Sequence, residues 1–255
     1  ACLDRLLSIQ QPDGGFDIGY EFSFGRLHRV GESTSPELVG LLALSEYGRR
    51  FGTDAVSRPA RAAADWIRRF ATQRADGNWY VPYAPYTTDE LMVYNGTSYA
   101  AGALGVYLGT IGGDDELWNI YAGMIRFLEA SLTDGSPLAG RFWYYADQTR
   151  TDIPPERATK IDYYHQMQQV EMHALAEQVA RTPRQLELIR DAADHIVDLQ
   201  DRHDVLPYTE PRRLFGGLIH TWGLASAIPG MLEAAVVLPD RRPSYEAVAR
   251  RVLEW

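Results

Sequence analysis

Asp162, Tyr163, Tyr164 and His165 stand together at the head of the stretch ATKIDYYHQMQQVEMHALAEQ, residues 158–178. A carboxylate, two phenols and an imidazole are groups that move protons near neutral pH, the imidazole as base or acid and a phenol or carboxyl as its counterpart. Behind them Met167, Val170, Ala174, Leu175 and Val179 recur at helical spacing, which predicts a mostly buried helix. Asp162 falls at its N-cap, where a carboxylate accepts from amides two or three residues on. Neighbours on a helix do not share a face, so of Tyr163 and Tyr164 one is expected to face a ligand and the other to pack.

Other apolar stretches have polar heads of the same kind. Ser35-Pro36-Glu37 opens a helix whose body, Leu38 to Tyr47, is apolar almost all round and is expected to be buried. Asn95 and Tyr99 stand at the start of an Ala- and Gly-rich helix, Thr97 to Leu108, and His220-Thr221-Trp222 opens one that runs to Val237, bent or restarted at Pro229. The four starts, Ser35, Thr97, Asp162 and His220, are spaced 62, 65 and 58 residues. Between them lie amphipathic segments at 55–73, 114–132, 183–202 and from 244. In the first, Ala62, Ala63, Trp66, Ile67 and Phe70 form an apolar stripe against Arg58, Arg61, Asp65, Arg68 and Arg69. Residues 1–11 read as the tail of a further helix, and 17–34 as a long connection.

This is an internal repeat of helical hairpins, about 60 residues each, in which a buried helix cannot cover both its faces without its neighbours. The predicted fold is all-α: an α/α toroid, closed or open, as a single domain over residues 1–255. An open α-solenoid is the alternative, and the long aromatic loops count against it. In a toroid the loops entering the buried helices share one rim, so the candidate residues are expected to converge on one hollow.

The turn Gln10-Gln11-Pro12-Asp13-Gly14-Gly15-Phe16 and its weaker echo from Gln73 to Trp79 resemble the Q-x-x-D-G-G-F turns of α/α-toroid enzymes. Such turns occur in terpenoid cyclases and prenyltransferases, and in carbohydrate-active toroids such as uronyl C5-epimerases and related lyases and hydrolases. The resemblance implies the fold and leaves the reaction open. The chain departs from two of these groups. It has no D-x-D-D acid motif, and with Cys2 as its one cysteine it lacks the Asp/Cys/His zinc set of protein prenyltransferases.

A net charge of −9 argues against nucleic acid as a partner. One cysteine excludes an internal disulfide and any multi-cysteine zinc site, and no H-E-x-x-H spacing appears, so neither metal nor cofactor is expected. No apolar run approaches a membrane span. The chain begins at Ala1 without Met and ends at Trp255, both inside helical patterns, so flanking residues are expected to be missing. A cytoplasmic address is favoured, with a cleaved leader left open.

His165, Tyr163, Tyr164, His220, Glu37 and Asp162 are the candidate catalytic residues. His165 or a tyrosine would be the base and His220 the acid for proton removal and return beside a carboxylate. Glu37 and Asp162 would be the paired carboxylates for glycoside hydrolysis. His28 and His173 are weaker candidates, and His173, two turns inside its helix, reads as packing. Asn95, Tyr99, Tyr83, Tyr86, Trp143, Tyr145, Tyr208 and Trp222 would line the hollow, and Lys160 and Arg213 would hold an anion. Tyrosine outnumbers phenylalanine, 15 to 8, which favours a saccharide over a hydrocarbon. The predicted function is a carbohydrate-active enzyme, an epimerase, lyase or glycoside hydrolase acting on a small-molecule or oligosaccharide substrate. The alternatives are a terpenoid-cyclase-like enzyme, with the aromatic rings stabilising a cation, and a non-catalytic repeat scaffold.

Overall fold

The turn after the first helix, α1 (Cys2–Ile9), shows how the chain builds its repeat. Gly14 has φ 97°, and a side chain there would sit 2.0 Å from the carbonyl oxygen of Ala62. Only glycine fits both the left-handed backbone and the close approach. Asp13 accepts from the Gly15 amide, and the Gln10 amide donates to the carbonyls of Gly14 and Pro59, tying the turn to the helix beside it. Gln10 and Phe16 form a β-bridge, and Phe16 lies against Gly40, where a methyl group would approach its ring to 2.4 Å. The echo at 73–79 is built alike: Gly77 has φ 81°, Asp76 accepts from the Asn78 amide, and Gln73 pairs with Trp79. A third bridge joins Leu132 to Trp143.

The computed structural model describes residues 2–24, 26–86, 92–132, 142–146, 159–203, 206–207, 209–210 and 221–254. The chain divides into two compact units, residues 1–127 and 128–255. In the first, a 3-10 turn (Ser35–Leu38) leads into α2 (Val39–Phe51), followed by α3 (Ser57–Phe70), α4 (Tyr94–Thr110) and α5 (Asp115–Ala130), within which the division falls. The short strands β1 (Phe22–Phe24) and β2 (Arg26–His28) form an antiparallel hairpin inside the predicted long connection. β3 (Thr72–Gln73) and β4 (Trp79–Tyr80) frame the second turn.

Every residue of α4 from Tyr94 to Leu108 is buried. Its Gly and Ala residues let neighbouring backbones come close: a side chain at Gly96 would meet the Ser35 hydroxyl at 2.5 Å. α2 differs from expectation. Gly40, Leu41, Leu44, Ser45 and Gly48 form its buried face, while Val39 is 44% exposed and Arg49 and Arg50 point to water. It is a half-buried helix, because α3 and α4 cover only one side of it. α3 is amphipathic as predicted, with Trp66 and Ile67 fully buried and its arginines turned outward; Arg68 pairs with Asp114 and Glu116.

In the second unit β5 (Ile161–Asp162) pairs with β6 (Thr209–Glu210) and leads directly into α6 (Tyr163–Glu177). Then come α7 (Gln185–Arg202), the short α8 (Thr221–Ala225), α9 (Ala227–Val237) and α10 (Arg242–Leu253). The predicted bend at Pro229 lies three residues earlier, at Ser226. Pro229 itself sits in the first turn of α9, where its missing N–H costs no helix bond. α6 and α9 run parallel and in register: the Ser226 hydroxyl donates to the Tyr164 carbonyl, and Gly230 lies against Met167. α7 and α10 flank them, joined by the Arg251–Asp201 ion pair and by Tyr245 donating to Asp194, while Arg190 pairs with Asp240 in the turn before α10. Met167, Val170, Ile189, Ile196, Met231 and Tyr245 anchor the shared core. No helix among the described residues is long and apolar enough to cross a membrane.

A β-carbon at Gly230 would stand 2.6 Å from the Met167 carbonyl oxygen, which belongs to a rigid helix backbone. Gly230→Ala is therefore expected to force α6 and α9 apart and to destabilise the protein by about 1–3 kcal/mol, read as a lower midpoint in urea unfolding.

Candidate active site

The densest grouping of candidate residues lies where β5 turns into α6. Asp162 takes the N-cap position with extended backbone, and its Oδ1 accepts from the His165 amide at 2.9 Å. The same oxygen lies 2.6 Å from Nδ1 of the His165 ring. Lys160 places its ammonium 3.3 Å from Oδ2 and 4.2 Å above the centre of the Tyr145 ring. Tyr145 in turn meets the His165 ring edge-on at 5.2 Å, and the Tyr164 ring lies tilted against it at 4.7 Å. The Asp162 side chain is 1% exposed, whereas that of His165 is 17% exposed. Burial works against the charged carboxylate, but the hydrogen bonds and charge of His165 and the nearby Lys160 outweigh it, so the Asp162 carboxyl is held below its ordinary range.

This arrangement fixes an imidazole. With a carboxylate at Nδ1, that nitrogen carries the proton, and Nε2 presents its lone pair. A ring held in this way can act as a base with a set direction, beside a buried anion able to stabilise an imidazolium.

Other candidates divide between packing and access. Tyr163 is buried against Phe142 and His195, while Tyr164 is half-buried. Burial holds the Tyr164 phenol above its usual range. Trp143 is buried, donates its indole N–H to the Leu128 carbonyl at 2.7 Å and stacks on His173 with an interplanar angle of 2°. Burial alone pushes His173 down to about 4, so it stays neutral inside the protein. A recess bordered by Tyr163, Tyr164, Met167, Leu206, Pro207 and Leu224 has about 10 Å³ of free space, room for one water and no sugar. His220, Arg213 and Tyr208 lie outside the described residues. Trp222 belongs to α8, and its side chain is outside them as well.

The first unit has its own polar group, at the start of α2. Glu37 accepts from the Thr34 amide at 2.9 Å, reaching back over the 3-10 turn as the second half of a capping box does. Burial raises its carboxyl to about 7, against the pull of its backbone hydrogen bonds and with a small push from Asp17. The Asp17 and His28 side chains, 3% and 2% exposed, pair at 3.2 Å, and the other Asp17 oxygen accepts from Gly31, so one carboxylate fastens the base of the β1–β2 hairpin. Asn95 and Tyr99 are buried in α4, and Tyr83 offers its carbonyl to the Ser35 amide. Tyr86 is 39% exposed, and its hydroxyl accepts from the Trp66 indole at 3.2 Å. The Asp17–His28 pair could not be read from the sequence, since the hairpin that joins them was not. No three metal-ligating side chains cluster among the described residues.

No protein-family model matches the chain, and no curated protein sequence matches it. Several solved structures share its fold. A sugar epimerase from a ruminal bacterium superposes with a TM-score of 0.71 at 13% identity, covering 99% of this chain and 67% of its own. A family 76 α-mannanase from Bacteroides thetaiotaomicron gives 0.69 at 13%, covering 98% and 68%. A family 105 glycoside hydrolase from C. acetobutylicum gives 0.68 at 13%, covering 99% and 69%. The chain thus spans about two thirds of the length of each. At such identity the likeness is one of fold, that of the α/α-toroid enzymes.

The Glu37 carboxyl makes stability depend on pH with a definite sign. Its folded value lies above its unfolded value, so its contribution is whole below about pH 4.5 and lost as pH rises through about 7. Glu37→Gln is expected to remove up to about 3 kcal/mol of that decline, less what water screens. Urea unfolding of both proteins at acidic and mildly alkaline pH measures it; equal declines would rule it out.

Proposed function

We propose that the protein is a carbohydrate-active enzyme that moves a proton on a saccharide, with His165 as the base and Asp162 as the residue that orients its ring. The observation that carries this reading is the 2.6 Å contact between Asp162 and the His165 ring at the head of α6. His165 takes a proton from a sugar carbon beside a carbonyl, the C–H pair becomes the C=C bond of an enediolate as the carbonyl π pair moves onto its oxygen, and return of a proton from water to the other face restores the carbonyl and gives the epimer. The solved structures that share the fold support a sugar as substrate: a sugar epimerase, a mannanase and a glycoside hydrolase stand among them.

Hydrolysis by Glu37 and Asp162 is the second reading. The raised Glu37 carboxyl favours it, because a general acid must hold its proton near neutral pH. Asp162 speaks against it: its side chain is 1% exposed, with one oxygen bonded to His165 and the other in an ion pair with Lys160, which leaves a sugar little access to it. The products separate the two readings. Epimerisation returns an isomer of unchanged mass, whereas hydrolysis adds water and makes new reducing ends.

Incubation with neutral and uronate oligosaccharides is expected to yield turnover that His165→Ala abolishes. Asp162→Asn, which keeps the shape and removes the charge, is expected to lower kcat by about 10²–10⁴ with a smaller change in KM. Turnover that survives His165→Ala unchanged would remove the histidine from the reaction, and absence of both turnover and binding across the panel would remove the enzyme.

A further inference from the structure

α6 is buried on nearly every side. Apart from His165, its half-buried residues are Tyr164, Gln168, Glu171 and Leu175, continued at the C-cap by Gln178. Their spacing of four, three, four and three places them on one line down the helix. The line begins at the ring that touches His165 and runs on for roughly 20 Å at 1.5 Å per residue. Its polar members are a phenol, two amides and a carboxyl. From the parallel α9, Glu233 borders it, accepting from the Gln178 amide at 2.8 Å.

Glu171 is the unusual member. Among the described residues it has no hydrogen-bond partner, although it is largely withdrawn from water. Burial, and then the charge of Glu233, raise its carboxyl to about 7. Among the described residues, the other elements packed on α6 bring no opposing charge to it. Arg190 and Asp194 of α7 are turned to Asp240, Arg241 and Tyr245, His195 of α7 lies against Phe142 and Tyr163, α8 carries no titratable side chain, Asp162 of β5 is held by His165 and Lys160, and His173 lies on the far face of α6 against Trp143. A neutral carboxyl both donates and accepts, which matches a sugar hydroxyl; a second anion placed there would meet Glu171 and Glu233 together.

We propose that the half-buried line of α6 is a binding track for a neutral saccharide, in which Glu171 contacts a sugar hydroxyl and sets the preference for neutral over acidic sugars. The assignment rests on the carbohydrate reading above and narrows it: uronates, open as substrates on sequence grounds, are disfavoured along this face. Continuity with the His165 dyad and the absence of a basic side chain on the line select the occupant.

Calorimetric titration of the whole chain with neutral and uronate oligosaccharides tests it. The wild type is expected to bind a neutral sugar near pH 6 and to bind it about tenfold more weakly near pH 8.5, as Glu171 loses its proton. Glu171→Gln keeps a donor and an acceptor and is expected to retain the acidic-side affinity within about twofold while losing the pH dependence. Glu171→Ala is expected to bind about tenfold more weakly than the wild type near pH 6 and about equally near pH 8.5, and Glu233→Gln to move the midpoint to lower pH. Uronates bound more tightly than neutral sugars, or a pH dependence unchanged in Glu171→Gln, would overturn the track. If His165→Ala still abolishes turnover in that case, the enzymatic reading stands without it; if no sugar of either kind binds, both fall.

Discussion

Two helices that run parallel with a glycine at their contact leave no room to slide. At Gly230 the α9 backbone meets the Met167 carbonyl, and the Ser226 hydroxyl holds the Tyr164 carbonyl four residues earlier. In the first unit the Ser35 hydroxyl lies against Gly96 in the same manner. The offsets, 62 and 63 residues in one unit and 61 in the other, are the repeat period itself. Close backbone contact makes this register sharp, because a shift of one residue would set side chains where none fit. Everything polar that α6 carries is positioned by that register, including Glu171 beside Glu233.

A buried helix also concentrates its chemistry at its end and along whatever line its neighbours leave uncovered. At the head of α6, one carboxylate caps the helix, orients an imidazole and answers a lysine. Low local dielectric strengthens each of these contacts, and it makes an unpaired charge there correspondingly costly. The same burial has opposite effects on two kinds of acid. Asp162, with partners of opposite charge, is kept ionised, whereas Glu37 and Glu171, which lack such partners, are pushed toward the neutral form. Separated acid and base strengths of this sort are what proton-transfer chemistry uses.

Much of the scaffold was legible in the chain because it rests on local rules. The Q-x-x-D-G-G-F turn is a sequence of local requirements: a glycine for the left-handed backbone, an aspartate for the amide two residues on, a glutamine to reach back. Helix starts at 35, 97 and 162 lie within three residues of the observed ones, and the Asp162 cap follows from the residue type and the three-residue spacing to His165. The β1–β2 hairpin was not legible. Its strands are three residues each, and what holds them is the contact of Asp17 with His28 and Gly31, which spans 11 and 14 residues.

The sequence by itself determined the type and order of the helices, the period at which they repeat, the turns between them and the polar residues at their heads. Those features depend on backbone preference and on neighbours three or four positions away, which a linear reading contains. Only the tertiary structure decided which polar residues are covered and which stay within reach of solvent. Trp143 and Tyr163 carry the chemistry of binding residues yet lie under other side chains, while Glu171, unremarked in the sequence, has a half-buried carboxyl that burial, and then the charge of Glu233 62 residues away, push toward the neutral form. Accessibility and charge are sums over contacts that the chain makes only after its distant segments meet, and no stretch of sequence holds that sum.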